Sequence, residues 1–176
     1  MNNTIVELRK IRANATIEKK KHYNAAERKN KKLSKLQAVT IFISVANGSL
    51  LFFVLKQNTQ VLVVVSMVLA LVNSLILGLL KHFDLSSKYK ENRRAGDTYN
   101  AIVRRIDMCI AHYEDKYIDD QTLWGQSNEI RNEYDLAISE YSFASTSSKD
   151  YQKAISGIDK GEENYSETDM KIGGTL

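Results

Sequence analysis

The chain has 176 residues, no proline and one cysteine, and its formal net charge is +4. Its length suggests one structural unit, and the lone Cys109 excludes an internal disulfide, which suits a reducing compartment. The charge is unevenly distributed: residues 1–35 carry a net +8, whereas residues 81–176 carry a net −5. These polar flanks enclose a middle third that is almost free of charge.

The first predicted element is a basic amphipathic helix over residues 1–35. Apolar or small residues recur every three or four positions, with charged residues between them. With no proline to interrupt it, this helix is expected to run directly into the apolar segment that follows. Its lysines suit a solvated surface or contact with anionic headgroups. The stripe comprises Leu8, Ile11, Ala15, His22, Ala25 or Ala26, Leu33 and Leu36.

Residues 36–80 are predicted to form a transmembrane hairpin. The runs 36–55 and 61–80 are each 20 residues long and contain no charged residue. At about 1.5 Å per residue, each run matches the roughly 30 Å hydrocarbon core of a bilayer. Two buried helices of a soluble protein are the alternative, but the rest of the chain is too small and too polar to enclose them. The short polar break between the runs allows only a tight turn.

Positive charge is concentrated on one side of this hairpin, which predicts that both termini are cytoplasmic. The opposite side offers Lys56 alone. A signal peptide is the competing explanation for the first run. It is disfavoured because the preceding arm is too long and a second span follows at once. The basic residues that flank the spans are Arg28, Lys29, Lys31, Lys32 and Lys35 before the first, and Lys81, Lys88, Lys90, Arg93 and Arg94 after the second.

Polar residues within the spans are clustered on one face of each helix, at about 100° per residue. Such a face can pack helices against each other, or it can line a pore once several copies assemble. One hairpin cannot enclose a channel, so a pore requires a homo-oligomer. No ionisable residue lies in either span, which argues against a proton relay. The pore-lining candidates are Gln37, Thr40, Ser44 and Asn47 in the first span, and Ser66, Asn73 and Ser74 in the second.

Residues 81–145 are predicted to form a cytoplasmic helical region. A long helix over residues 84–118 carries an apolar and aromatic stripe, and Gly96 is expected to weaken it locally. The segment 119–125 is predicted to be a turn punctuated by Gly125.

After this turn, Ser127 is expected to cap a helix over residues 127–143. Its apolar face is predicted to comprise Ile130, Tyr134, Ile138 and Tyr141. Residues 146–176 are expected to be a polar, partly disordered tail, with a short helix near 147–156.

Basic and aromatic residues are interspersed after the second span. This combination suits nucleotide phosphates and stacked bases. Contact with lipid headgroups accounts for the same residues without a soluble ligand. The ligand-binding candidates are Lys88, Tyr89, Arg93, Arg94, Tyr99, Arg104 and Arg105.

The chain shows no pattern that predicts an enzyme, a cofactor or a metal site. His22, His82 and His112 have no carboxylate or thiol at metal-ligand spacing, so each is expected at a surface or an interface. There is also no phosphate-binding Gly-rich loop and no nucleophile motif.

The layout resembles the SLATT family, the two-transmembrane effector domains found beside bacterial nucleotide-second-messenger systems. The resemblance covers residues 5–145. It rests on the segment KKHYNAAERKNKKLSKL, the tight two-span hairpin and the long helix with Tyr99. It implies a membrane effector of antiphage defence that forms a pore and depolarises the inner membrane. It also implies a nucleotide or oligonucleotide trigger made by an associated nucleotidyltransferase, and it supplies no catalytic residues.

The sequence therefore predicts an all-α, two-span protein of the bacterial inner membrane that forms a homo-oligomeric channel, with a tetramer as the expected assembly. Its long cytoplasmic helices are expected to form an oligomeric bundle that acts as the gate. The alternative is a non-conducting membrane anchor or scaffold that recruits a cytoplasmic partner.

Overall fold

The structure is a computed structural model that describes residues 3–57 and 60–162, and those residues form five α-helices and no strand. This confirms the all-α fold expected from the sequence. The chain divides into two compact units: the hairpin, residues 27–89, and the bundle, whose described residues are 3–26 and 90–162. The division into four segments expected from the sequence stays a prediction. The helices are α1 (Asn3–Gln57), α2 (Gln60–Phe83), α3 (Leu85–Glu114), α4 (Asp120–Glu140) and α5 (Ser148–Asp159).

Helix α1 runs without interruption for 55 residues. The basic amphipathic segment and the first apolar run therefore belong to one helix, as the absence of proline predicts. Its first part, up to Ala26, belongs to the bundle, and the remainder belongs to the hairpin.

Asp84 separates α2 from α3. Its φ of 42° lies in the left-handed region, which aspartate tolerates better than most residues do. Its carboxylate Oδ1 accepts a hydrogen bond from the backbone N–H of Ser87 at 3.2 Å. This contact satisfies one of the free donors at the start of α3.

Helix α4 begins seven residues before the helix start that the sequence predicted at Ser127. The cap is Asp119, whose side chain accepts a hydrogen bond from the backbone N–H of Thr122 at 2.8 Å. The predicted turn over residues 119–125 is therefore wrong, and Gly125 lies inside the helix. The reason is that the hydrogen bond from Thr122 to the capping Asp119 stabilises the first turn of α4. This stabilisation outweighs the cost of about 1 kcal/mol for an internal glycine.

Helix α5 starts with a capping box. Ser147 Oγ accepts from the backbone N–H of Asp150, and the Asp150 carboxylate accepts from the backbone N–H of Ser147 at 2.9 Å. The short helix expected near 147–156 is present and extends to Asp159. The predicted disorder beyond residue 162 lies outside the described residues.

In the hairpin, the less exposed positions recur at alternating spacings of three and four residues along both helices, so that each helix shows one face to the other. Only 6% of each apolar segment is buried within the chain, unlike the core helix of a soluble protein. Large exposed side chains such as Phe42 and Leu71 cover the remaining faces, as is usual for a lipid-facing surface. The inner positions include Thr40, Ile43, Asn47 and Leu50 of α1, and Ser66, Leu69, Asn73 and Ile76 of α2.

The bundle has an apolar core to which α1, α3 and α4 each contribute. Cys109 lies on this core face, and burial raises the pKa of its thiol. The face predicted for α4 is correct in part, because Ile138 is 45% exposed and Ala137 takes its place in the core. The largest fully buried side chains are Leu8, Asn92, Tyr99, Ile106, Leu123 and Ile130.

Candidate functional site

Two polar pairs join the helices of the hairpin. Ser66 Oγ donates to Asn47 Oδ1 at 2.5 Å, and Asn73 Nδ2 donates to Ser44 Oγ at 3.0 Å. Amides and hydroxyls often hold membrane helices together in this way, because lipid offers them no alternative partner. Four of the seven pore-lining candidates are thus engaged with each other inside one hairpin.

The other three candidates differ in exposure. Thr40 is 8% exposed, and its hydroxyl donates to the backbone carbonyl of Leu36 at 2.6 Å. Gln37 and Ser74 are exposed. In a single hairpin these two side chains, like the exposed Ser44, remain accessible to another copy or to water.

Asn73 retains an unsatisfied atom. Its Oδ1 is buried and accepts no hydrogen bond within the described residues. A buried acceptor without a donor costs about 1–3 kcal/mol, so the site favours a donor from a water molecule or another chain.

A stripe of small residues lies on the exposed surface of α2. Ala70, Ser74 and Gly78 follow one another at four-residue intervals, and all three are exposed. A Cβ at Gly78 would meet no atom within 4 Å. Stripes of this kind allow membrane helices to approach closely, so this face suits contact between copies.

The arginines proposed for ligand binding are mostly engaged with carboxylates of the bundle. Arg105 pairs with both Glu129 and Glu133 of α4. Arg94 Nη2 lies 3.3 Å from Glu140 Oε1. These exposed pairs connect α3 with α4, although each contributes only about 0–1 kcal/mol.

The same arginines form two separated groups on α3. Arg93 and Arg104 share one face, but eleven residues of helix separate their Cα atoms by roughly 16 Å. Arg104 is exposed, whereas Arg93 lies over the ring of Tyr23 at 4.9 Å. Lys88 and Tyr89 belong to the hairpin rather than the bundle. Within the described residues, the predicted ligand-binding residues are therefore spread along α3 and the adjoining hairpin rather than gathered at one point.

Tyr99, the remaining candidate, is 2% exposed and lines a cavity of about 310 Å³ in the bundle. Burial raises the pKa of its phenol, with a further contribution from the negative charge of Glu18. The rings of Tyr134 and Tyr141 lie 6.1 and 6.4 Å from the Tyr99 ring, centroid to centroid. The cavity thus presents several aromatic faces beside the polar side chains of Glu18 and Lys21.

His22 also lines this cavity, which corrects the expectation that it lies at a surface or interface. It is 3% exposed and stacks on Tyr99 with ring centroids 5.8 Å apart. Its Nδ1 lies 3.2 Å from Oδ1 of the fully buried Asn92, and its Nε2 lies 3.7 Å from Glu18 Oε2. His82 and His112 are exposed, as expected.

Next to His22, Tyr23 lies across α3. Its hydroxyl donates to Asp97 Oδ1 at 2.8 Å, and its ring covers Gly96. Asn24 Nδ2 in turn donates to the backbone carbonyl of Asp150 at 3.1 Å. Residues 22–24 of the segment that carried the family resemblance thus contact α3 and α5.

No group of three or more His, Cys, Asp or Glu side chains that would hold a metal ion occurs in residues 3–57 and 60–162. Within this part of the chain, the candidate sites are the polar seam of the hairpin and the aromatic cavity of the bundle. The seam consists of hydrogen bonds that join two helices, and the cavity is lined largely by aromatic rings, features that suit packing and binding.

Comparison with known proteins adds one match. Residues 6–169 match the family model of SMODS and SLOG-associating 2TM effector domain family 4. No curated protein and no solved structure matched the chain. The family description agrees with the two apolar helices of the hairpin. Because the match extends over most of the chain, this two-transmembrane protein belongs to family 4 of the SMODS and SLOG-associating (SLATT) effector domains.

Proposed function

We propose that the protein is a membrane effector of bacterial antiphage defence that assembles into a homo-oligomeric channel and depolarises the inner membrane. Both termini are cytoplasmic in this proposal, because Lys and Arg flank the apolar runs on that side and only Lys56 lies on the other. A tetramer is the proposed assembly. The protein is proposed to act without catalysis or a cofactor.

The proposal rests on one observation: some polar groups of the hairpin join its two spans, whereas others remain exposed on the outer surface. Asn47 and Ser66 hold the two spans together, so the hairpin is a preformed unit. Gln37 and Ser74 remain exposed on otherwise apolar helices, and Asn73 keeps an unsatisfied oxygen. Exposed polar groups in lipid are unfavourable, and assembly around a water-filled lumen removes that penalty.

All seven candidates remain in the proposed lumen or its wall, with different roles. Ser74, on the small-residue stripe, would lie at or beside the contact between copies. Gln37 would lie near the cytoplasmic mouth. The paired residues Ser44, Asn47, Ser66 and Asn73, together with Thr40, would form the wall behind them.

The gate is proposed to be the bundle, and its ligand a nucleotide or oligonucleotide from an associated nucleotidyltransferase. The aromatic cavity beside Tyr99 provides ring faces for a base. Arg104 provides an exposed cation, and Arg93, Arg94 and Arg105 would exchange their carboxylate partners for phosphates. Lys88 and Tyr89 are proposed as contacts for the same ligand or for lipid headgroups.

The test is the membrane potential of bacteria that express the full chain, followed with a potential-sensitive dye. We expect Ser74→Leu to abolish depolarisation, because a large side chain prevents close approach at the small-residue stripe. Val68→Leu is the matched control, since Val68 is also exposed on α2 but lies away from that stripe. An unchanged potential in cells with abundant wild-type protein in the membrane, with and without added nucleotides, would contradict the proposal.

The second candidate function is a non-conducting scaffold. It is favoured by the polar seam, because residues that hold a hairpin together need no lumen. A scaffold predicts the same potential for the wild type, Ser74→Leu and Val68→Leu.

A further inference from the structure

A groove of about 960 Å³ lies at the basic end of the hairpin. Its apolar wall includes Ile41 of α1 together with Leu77 and Leu80 of α2. Ile41 is 65% exposed and Leu77 is 51% exposed, so this wall is continuous with the outer apolar surface of the spans. In a membrane, the hydrocarbon chains of lipid would contact the same surface.

The groove ends in polar side chains. Lys81 and Gln37 line it and have no hydrogen-bond or ion-pair partner in the described part of the chain. The adjoining turn of α1 adds the exposed Lys35. One end of the groove thus carries positive charge and amide donors, and the other end is apolar.

Asp84 also lines the groove and is the one acidic side chain among the described residues that line it. Its Oδ1 is occupied by the N–H of Ser87, because Asp84 caps the start of α3. One oxygen of the aspartate is thus held by the backbone, and Lys81 has no ion-pair partner within the described residues. Ser86, an exposed hydroxyl at the same end, adds a further donor.

We propose that this groove binds one anionic phospholipid. Its phosphate contacts Lys81, and one acyl chain lies along Ile41 and Leu77. Basic pockets between transmembrane helices on the cytoplasmic side bind anionic headgroups, because the charge is attracted to the lysine while the chains stay in hydrocarbon. The lipid is favoured over a soluble phosphate because only an amphiphile covers both the apolar wall and the basic end.

This inference goes beyond the proposed channel activity and does not depend on conduction. The lipid would bind a scaffold equally well, so lipid binding and depolarisation are separate measurements. A failure of one leaves the other unaffected.

The experiment is native mass spectrometry of the full-length chain, extracted in mild detergent and mixed with defined amounts of phosphatidylglycerol or phosphatidylcholine. We expect one phosphatidylglycerol per chain to be retained in preference to phosphatidylcholine. Lys81→Gln is expected to lower its retention about fivefold. Lys32→Gln removes the same charge from an exposed position outside the groove and is expected to have little effect.

A second variant tests the apolar wall without changing charge. Ile41→Trp fills part of the groove at an exposed position, so it should lower retention of phosphatidylglycerol while the hairpin still folds. Equal losses in Lys81→Gln and Lys32→Gln would overturn the proposal, because they would show diffuse attraction to headgroups. Equal retention of the two lipids, or displacement of the lipid by glycerol phosphate alone, would also overturn it.

Discussion

Gly96 shows how one residue fixes the contact between two helices of the bundle. A Cβ at this position would lie 2.6 Å from two carbon atoms of the Tyr23 ring. The absence of a side chain at Gly96 therefore allows Tyr23 of α1 to pack closely against α3, although the sequence alone predicted only local weakening of the helix. Tyr23 uses the space to place its hydroxyl on Asp97 and its ring under Arg93.

This close contact predicts opposite effects for two glycine substitutions. Gly96→Ala should lower the free energy of unfolding by about 1–3 kcal/mol, because the tyrosine ring must move. Gly125→Ala should raise it by about 0.5–1 kcal/mol, because the new methyl group meets no atom within 4 Å inside a helix. Thermal unfolding in detergent, followed by circular dichroism, measures both changes. Equal effects of the two alanines would contradict the packing described for Tyr23.

Tyr99 predicts a dependence of bundle stability on alkaline pH. Burial raises the pKa of Tyr99 and of Tyr134 above the ordinary value of 10.0. The unfolded chain therefore releases these protons first as the pH rises. The contribution of these two protonated phenols to the free energy of unfolding is fully present below pH 10. Above that pH it is lost, at up to about 1.4 kcal/mol per pH unit for each group.

The measurement is the unfolding temperature between neutral pH and pH about 11. Tyr99→Phe should flatten the alkaline fall, because the buried ionisable hydroxyl is removed. Tyr117→Phe is the control, since Tyr117 is 78% exposed. If the unfolding temperature of both variants fell with pH as steeply as that of the wild type, buried tyrosines would not be the cause of the fall.

At the scale of helices, the hairpin depends on polar pairs that cross between its two spans. A double-mutant cycle with Asn47→Ala and Ser66→Ala should give a coupling energy of about 0.6 kcal/mol, and at most about 1.7 kcal/mol. Ser49→Ala should have little effect, because the Ser49 hydroxyl donates within its own helix to the carbonyl of Val45. Reversible unfolding in mixed micelles measures these energies. Strictly additive effects at positions 47 and 66 would show that the pair does not couple the spans.

The helices differ in how far the sequence could predict them. The spans were predictable because twenty uncharged apolar residues have few alternatives to crossing a membrane. The sequence predicts the start of α4 too late because Gly125 is typical of a turn, whereas the contact of Asp119 with the backbone of Thr122 starts the helix seven residues earlier. The bounds of α3 were nearly correct, since its buried stripe recurs regularly from Asn92 to Cys109.

The sites were less predictable than the helices because their partners are distant in the sequence. His22 contacts Asn92, which is 70 residues away. Nothing in the local pattern of either helix identifies that pair. A polar residue at a stripe position, as His22 is on α1, was the available signal. That position is compatible with burial, but it does not identify the partner.

For the whole molecule, membership of the SLATT family and the two exposed apolar helices establish a two-transmembrane effector domain. The proposed step from this domain to a channel depends on assembly, because one hairpin has no room for a lumen. In the proposed gate, a ligand of the bundle would act through α1, which continues from the bundle into the hairpin.

The measurement that tests the central claim most directly is ion flux through proteoliposomes that contain the purified full-length chain. We expect flux with the wild type, a change on adding nucleotides to the bundle side, and no flux with Ser74→Leu. Val68→Leu should conduct like the wild type. Vesicles that stay sealed with correctly inserted wild-type protein, in the presence and absence of nucleotides, would contradict a channel and favour a scaffold.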